Sequence, residues 1–525
     1  MNKRNKKAGK AVASGSFGCV FRPPLRCKGE VNRPGTVDKP LISKLMIRES
    51  ALEEYKIIQD VKNSVKDIPN YGDYFVLDDI TMCDPGELDE EDMENAVKEC
   101  KSPLKLGNNE TTISSNKLSQ TSIITAPDMG NDIHKSFIQM NTDMLKYKGN
   151  DKLSLVSKNL KKFNIQIVKL LKNGIAPMIE KGIYHNDLKA ENIMTSYKSL
   201  EDVKNNFNYV KMVDFGFLTK LNEDADEYDI EESLVTNLLF NTPIYNLIYD
   251  ELLLFKFTKK FEELLPNVKT RFNDLKNGEF QIKLSKEIQK ILFNDLKLQR
   301  ESHWYFLESF YNWCVANNSY EIKIPLNLQV TILLTIAFGV IIDLTEEDGR
   351  VSYRREDYFN DIIRNNIDIV GVLSSYSLIC QIILNDVKNE MKDVVTAYAN
   401  MLYDYIFSTK YVQKAISISE LVKEIENINN LLNKYDKYYV NNSNTNKNLK
   451  SVIHKSTIIK TDSNILKPKT KKYRISTSGK SKKVKKSKLN SITSKKTIRS
   501  KNVNSMTNKN NRYVTHISKR NNSSK

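Results

Sequence analysis

Apolar residues recur along the first 440 positions with two different periods and then nearly vanish. Positions 12–20 read as strand, tight turn, strand, and Leu41-Ile42-Ser43-Lys44-Leu45-Met46 alternates in the manner of a strand. Leu52, Tyr55, Ile58 and Val61 then fall at helical spacing over 49–61. Tyr74-Phe75-Val76-Leu77 and Thr121-Ser122-Ile123-Ile124-Thr125 predict two further strands. Between them, 84–120 is acidic first and then rich in Ser, Asn and Thr, which predicts a mobile surface insertion. Helical spacing returns over 155–180 through Phe163, Ile167, Leu170, Leu171 and Met178, with a bend expected at Pro177. The pattern stays helical from 251 to 343 and resumes up to about residue 434. Its most apolar window, 330–342, is shorter than the roughly 20 residues that cross a bilayer, so it predicts a buried helix and no membrane span. Beyond 441, Lys, Ser, Asn and Thr dominate, which predicts a disordered tail.

Charge sharpens this division. The chain of 525 residues has a formal net charge of +17. Residues 441–525 hold 24 lysines and arginines against one acid, a net +23, so the remainder is mildly acidic at −6. Six cysteines (Cys19, Cys27, Cys83, Cys100, Cys314 and Cys380) are scattered without a Cys-x-x-Cys pair. That spacing argues for a reducing compartment and against a zinc or disulfide framework. The first residues lack the apolar run of a signal peptide, and position 2 is not the glycine that accepts a myristoyl group.

The candidate chemistry is concentrated in Ile183-Tyr184-His185-Asn186-Asp187-Leu188-Lys189-Ala190-Glu191-Asn192-Ile193 and in Val213-Asp214-Phe215-Gly216. Phosphoryl transfer from Mg-ATP needs one carboxylate for the attacking hydroxyl, an amide and a second carboxylate for magnesium, and a lysine for the moving phosphoryl group. The two stretches supply all four. Together they resemble the catalytic loop and the Asp-Phe-Gly magnesium loop of eukaryotic-type protein kinases, and the details are most similar to the divergent serine/threonine kinases of large DNA viruses.

The resemblance implies an α+β, bilobal protein-kinase-like fold. Residues 1–10 would be a basic N-terminal segment, and 11–127 a small β-rich lobe with an insertion near 84–120. Residues 128–435 would be a large, mainly helical lobe with a helical insertion near 251–343, and 441–525 the disordered basic tail. It further implies that Asp187 is the base, that Lys189 stabilises the γ-phosphoryl group, and that Asn192 and Asp214 hold Mg2+ (or Mn2+). Val12, Ala13, Ser14, Gly15, Ser16, Phe17, Gly18, Cys19 and Val20 would form the glycine-rich loop over ATP, with Ala13 in place of the first glycine. Phe21-Arg22-Pro23-Pro24-Leu25-Arg26-Cys27 also resembles the viral group, without an assigned chemistry. Lys44 would contact the α- and β-phosphates and pair with Glu54, Glu53 being the reserve. Residues 125–130 would be the hinge beside the adenine, guarded by Ile124. Asp132 would be a ribose contact or an exposed loop acid. His185 and Phe215 would pack the two loops in register, Gly216 would complete the magnesium loop, and Asp368 would bind the catalytic-loop backbone.

Several departures from the family pattern matter. Asn186 stands where regulated kinases carry arginine, so no cation awaits a loop phosphate, and activity independent of loop phosphorylation is expected. Thr242, in Asn241-Thr242-Pro243-Ile244-Tyr245, would hydrogen-bond near Asp187 and Lys189. The usual Ala-Pro-Glu is missing, and Asp250 is the nearest acid. Acids between 223 and 232 read either as a solvated face or as a docking surface for basic partners. The expected function is ATP-dependent transfer to protein Ser/Thr hydroxyls. A small-molecule kinase of the choline-kinase or aminoglycoside-phosphotransferase sort, and a scaffold with a nucleic-acid-binding tail, are the alternatives. Partners would be protein substrates and, through 441–525, nucleic acid or other acidic surfaces. The expected location is intracellular: the host cytoplasm or the virion, or the nucleus through the basic run 482–488.

Overall fold

The computed structural model of the chain describes residues 9–14, 18–32, 34–36, 39–100, 104, 112–221, 240–264, 283, 285–291, 301–344 and 351–436. Gly15, Ser16, Phe17, the acids between 223 and 232 and the basic tail lie outside these residues. The described chain is α+β, with a small antiparallel sheet near the start and a larger helical body after it.

The sheet comprises β1 (Lys10–Ser14), β2 (Gly18–Arg22), β3 (Leu41–Ile47), β4 (Thr81–Cys83) and β5 (Thr121–Pro127), in the order β1-β2-β3-β5-β4. Because successive side chains alternate between faces, the register sorts the sheet into two surfaces. Val20, Lys44, Ile124 and Met82 lie in one cross-strand row. Helix α1 (Arg48–Val65) packs beside this face, where Met46, Ala51 and Ile124 form a small core. Cys19, Leu45, Ile123 and Cys83 form the adjacent row on the opposite face.

That opposite face overturns two expectations. Residues 84–120 are not simply a surface insertion. They contain helix α2 (Glu90–Glu99), capped by the Asp89 side chain, and its Ala96 and Val97 bury against Cys19, Phe21, Leu45 and Ile123. Only Asp92, Ala96 and Val97 of α2 are buried, so composition alone concealed its packing. The cysteines are also not all free: Cys19 is bonded to Cys100 and Cys27 to Cys83. Sequence separations of 81 and 56 residues hid these pairs, which antiparallel pairing and α2 bring to Cα separations of 5.7 and 5.8 Å. Cys314 and Cys380 remain free and buried.

A third correction concerns Tyr74-Phe75-Val76-Leu77, which is not a sheet strand. Phe75 makes an isolated bridge to Met212, with Met212 N–H donating to Tyr74 O and Val76 N–H to Met212 O. The strand beside β5 is instead 81–83. Long-range pairing with Met212 claims the more apolar segment, a tertiary choice that local alternation does not reveal.

In the helical body, short strands β6 (Asn131–Asp132), β8 (Ile193–Thr195) and β9 (Val210–Met212) form one ladder, and β7 (Ile183–Tyr184) pairs with β10 (Thr219–Lys220). Helix α3 (Ile133–Met144) follows β6, and α4 (Gly149–Leu170) runs through a π turn at Leu171–Ile175 into Ala176–Glu180. Pro177 sits in the first turn after the π segment; lacking an N–H, it cannot continue the regular ladder. Helices α5 (Glu251–Leu264), α6 (Glu301–Asn317), α7 (Leu326–Ile341), α8 (Arg364–Ser374), α9 (Lys392–Leu402) and α10 (Ile418–Leu432) complete the body. Leu253 and Phe257 of α5, Phe310 of α6, Leu333 of α7 and Ile367 of α8 all belong to one core.

Helix α7 is the apolar segment read as a buried helix, and it is buried. A second run, Arg355–Leu384, is long and apolar enough to cross a membrane by length and composition, but 83% of its most apolar window is buried inside the body.

Candidate active site

The site is built outward from the loop between β7 and β8. Two backbone N–H groups enter it together: His185 N–H donates to Asp368 Oδ2 at 2.8 Å and Asn186 N–H to Oδ1 at 2.9 Å. Asp368, on α8, is therefore the buried staple of this loop. Burial raises its carboxyl above its ordinary value, opposed by the neighbouring His185 and the two N–H bonds. Asn186 takes φ +62°, a left-handed conformation that asparagine tolerates better than most residues. Its side-chain amide donates to Phe217 O and Thr219 Oγ1, at 3.2 and 2.8 Å. A neutral amide thus ties the loop to β10.

Asp187 is held by three donors. Lys189 Nζ and Asn192 Nδ2 lie 2.6 and 3.0 Å from Oδ2, and Asn241 Nδ2 lies 3.1 Å from Oδ1. Asn192 Nδ2 also donates to Asp187 O at 2.8 Å. Both bonds of Asn192 use the amide nitrogen, so its amide oxygen is the atom chemically suited to a cation. Thr242 is buried beside Asn241, and Asn241 donates to Asp187. Asn241 was not among the residues expected in the site; its signal in the sequence was only adjacency to the Thr-Pro pair.

The Asp214 loop is fastened to the first one. Val213 N–H donates to Asn192 O at 3.0 Å, and His185 Nε2 meets Val213 O at 2.9 Å. The Phe215 ring lies 5.1 Å from the His185 ring and 6.4 Å from Phe75. Asp214 itself has φ +62°. A Cβ added at Gly216 would stand 3.6 Å from Asp214 Oδ1, an ordinary contact.

From the sheet, Lys44 Nζ reaches both carboxylate oxygens of Glu54 on α1, at 2.7 and 2.6 Å, while Glu53 is exposed. Glu54 is therefore the partner. Burial raises the Glu54 carboxyl, Lys44 lowers it, and the charge of Asp214 raises it again, so the ion pair and Asp214 share one electrostatic neighbourhood.

The loop between β1 and β2 divides. Val12, Ala13 and Ser14 lie on β1 and Gly18, Cys19 and Val20 on β2. Val20 shares the Lys44 face, whereas the Cys19 side chain points to the opposite core and its disulfide, so it offers a nucleotide only backbone. Ser14 Oγ donates to Glu99 O. A Cβ at Gly18 would stand 2.6 Å from Met46 Cγ and 2.8 Å from Leu45 O, so close strand packing already demands glycine there.

Ile124 is buried in the Lys44 row. Asp132 is neither exposed nor free: it caps α3 by accepting from Lys135 N–H and pairs with Lys135 Nζ. Asp250 caps the start of α5 by accepting from Leu253 N–H at 2.9 Å. Another pair missed by sequence reading is His134 with Glu191, Nδ1 to Oε1 3.2 Å, which joins α3 to the loop carrying Asp187.

No cluster of three or more His, Cys, Asp or Glu side chains suited to a metal occurs among the described residues. Magnesium at phosphate sites uses only one or two carboxylates with phosphate and water oxygens, and the donor set of Asp214 and Asn192 fits that demand. No protein-family model and no curated protein matches the chain.

Proposed function

We propose that the chain is an ATP-dependent protein kinase of the eukaryotic type, transferring the γ-phosphoryl group to serine and threonine hydroxyls. The observation that carries this reading is the coincidence of two assemblies: a Lys44–Glu54 ion pair in the electrostatic neighbourhood of Asp214, and an Asp187 carboxylate held by Lys189, Asn192 and Asn241. Either alone is a common structural motif. Together they supply the charges that phosphoryl transfer requires. The strand-rich layer and the helical body would then be the two lobes.

On this reading Asp187 accepts the hydrogen bond of the substrate hydroxyl and takes its proton as the new O–P bond forms and the bond to the ADP oxygen breaks. Lys189 neutralises charge on the moving group, and Lys44, oriented by Glu54, engages the α- and β-phosphates. Magnesium, when bound by Asp214 and the Asn192 amide oxygen, would supply further charge neutralisation. The amide lock of Asn186 on Phe217 and Thr219 supports activity that needs no loop phosphate, because no cation there awaits one.

The test is incubation of purified full-length protein, Asp187→Ala and a tail-deleted form with γ-labelled Mg-ATP and basic or acidic proteins. Phosphoserine or phosphothreonine made by wild type and lost in Asp187→Ala is the expected result. Folded protein that binds Mg-ATP but labels no protein would move the acceptor to small molecules. Absence of nucleotide binding would favour a scaffold.

A further inference from the structure

The segment Phe21-Arg22-Pro23-Pro24-Leu25 has no part in the chemistry described above, yet the fold holds it with care. Arg22 is the last paired residue of β2, opposite Lys10. Phe21 is fully buried in the core under α2, so Arg22 falls on the other face, the one that carries Val20 and Lys44. Two prolines then end the strand, since neither can donate to a ladder. Leu25 is fully buried, and its N–H donates to Ser43 Oγ at 2.8 Å. Arg22 is thus anchored on both sides before its side chain extends.

That side chain crosses to the segment leaving β5. Arg22 Nη2 lies 2.5 Å from Asp128 Oδ1 and 2.8 Å from Gly130 O. Asp128 Oδ1 also accepts from Gly130 N–H at 3.0 Å, closing a ring of three residues around a turn in which Gly130 has φ +80°. From the helical body, Tyr209 OH donates to Met129 O at 2.8 Å. Residues 128–130 are therefore pinned from the sheet by Arg22 and from the body by Tyr209.

From this geometry we infer that Arg22 is a positioning residue for nucleotide binding, setting the distance between β2 and the 128–130 turn and hence the width of the cleft that receives ATP. This rests on the kinase reading and deepens it. Arg22 acts on how tightly nucleotide is held and not on phosphoryl transfer, because its partners are the connecting turn and none of Asp187, Lys189, Asn192 or Asp214. The prolines and buried Leu25 restrict the backbone that carries the arginine, and Asp128 in the pair is largely buried.

The experiment measures the Kd of a fluorescent ATP analogue with magnesium, together with KM for ATP and kcat, in wild type, Arg22→Ala, Arg22→Lys, Asp128→Asn and Arg22→Ala/Asp128→Asn. Asp128→Asn keeps an acceptor for Gly130 N–H and removes the charge. Each single loss should raise Kd and KM about two- to fivefold, as expected for a partly exposed ion pair, with kcat changed less than about twofold. The double variant should be no weaker than the worse single one, and Arg22→Lys should fall between wild type and Arg22→Ala. Thermal melting identifies any variant that fails to fold, in which case the remaining variants decide. Unchanged Kd in folded variants, effects that multiply in the double variant, or a fall in kcat at constant KM would each overturn the inference and leave the kinase reading standing. Wild-type protein that binds no Mg-ATP would overturn both.

Discussion

Asn241 and Asp187 stand 54 residues apart in the chain, and the Asn241 side-chain amide donates to Asp187 Oδ1 at 3.1 Å. The same nitrogen donates to Leu188 O, so one side chain fixes both the carboxylate and the backbone beside it. Asn241→Ala should lower kcat about ten- to a hundredfold, as loss of an outer partner does at metal sites, with KM for ATP unchanged. Steady-state kinetics check this; a rise in KM with intact kcat would assign Asn241 to nucleotide binding instead.

His134 and Glu191 predict a pH effect. The hydrogen bond to Glu191 raises His134 above its ordinary 6.5, against desolvation. Glu191 lies below its ordinary 4.5: burial pushes it up, and the His134 bond and the loop backbone outweigh that. A raised histidine contributes stability that is complete below its unfolded pKa and lost as pH rises through the folded one. A depressed glutamate contributes stability that is lost as pH falls below about 4.5. The pair is therefore strongest between pH 4.5 and 6.5 and fades on the alkaline side. Because both side chains are half exposed, His134→Ala should cost at most about 1 kcal/mol at pH 6 and much less at pH 8.5. Urea unfolding at the two pH values reads the difference, and equal costs would dismiss the pair as a contributor.

Gly371 lies one turn after Asp368 on α8, where an added Cβ would stand 2.6 Å from Leu188 O and 2.8 Å from Leu188 Cβ. The obstacle is the backbone of the loop bearing Asp187, which cannot swing aside as a flexible side chain would. Gly371→Ala should destabilise by about 1–3 kcal/mol and reduce activity by displacing the loop. A variant with wild-type melting temperature and rate would contradict the close approach.

The cysteines give a prediction independent of catalysis. Peptide mapping without reductant should recover Cys19 joined to Cys100 and Cys27 to Cys83. Cys314 and Cys380 should resist alkylation until unfolding, because burial raises both thiols. Breaking the Cys27–Cys83 bridge by substitution should cost about 2–4 kcal/mol in denaturant unfolding. Recovery of all six as free thiols from protein purified under oxidising conditions would refute the pairing.

Much of the site was legible from residue types and spacing. Lys44 and Glu54 are separated by one strand end and about two helical turns, so local structure nearly suffices to bring them together, and only the choice between Glu53 and Glu54 needed the fold. Asp368 was expected as an anchor through the resemblance of Ile367–Leu373 to a protein-kinase helix, and its partners lie more than 180 residues earlier. Asn241 was overlooked because asparagine beside a Thr-Pro pair carries no periodic or chemical signal; only the return of the chain to Leu188 distinguishes it.

By itself the sequence determined most of the longer elements, such as β3, α1 and the helix through Phe163 and Ile167, because strand alternation and helical spacing are local consequences of backbone geometry. It also determined which residue types were available for chemistry. Only the tertiary structure decided which face of the sheet each residue served. A shift of one position sends a side chain to the opposite surface. Val20 therefore shares a row with Lys44, while its neighbour Cys19 turns to α2 and Cys100. Only tertiary contact decided that Phe75 bridges to Met212, that Arg22 reaches Asp128, and that Asn241 holds Asp187. Each joins residues distant in sequence, and such contacts are selected by packing of the whole chain.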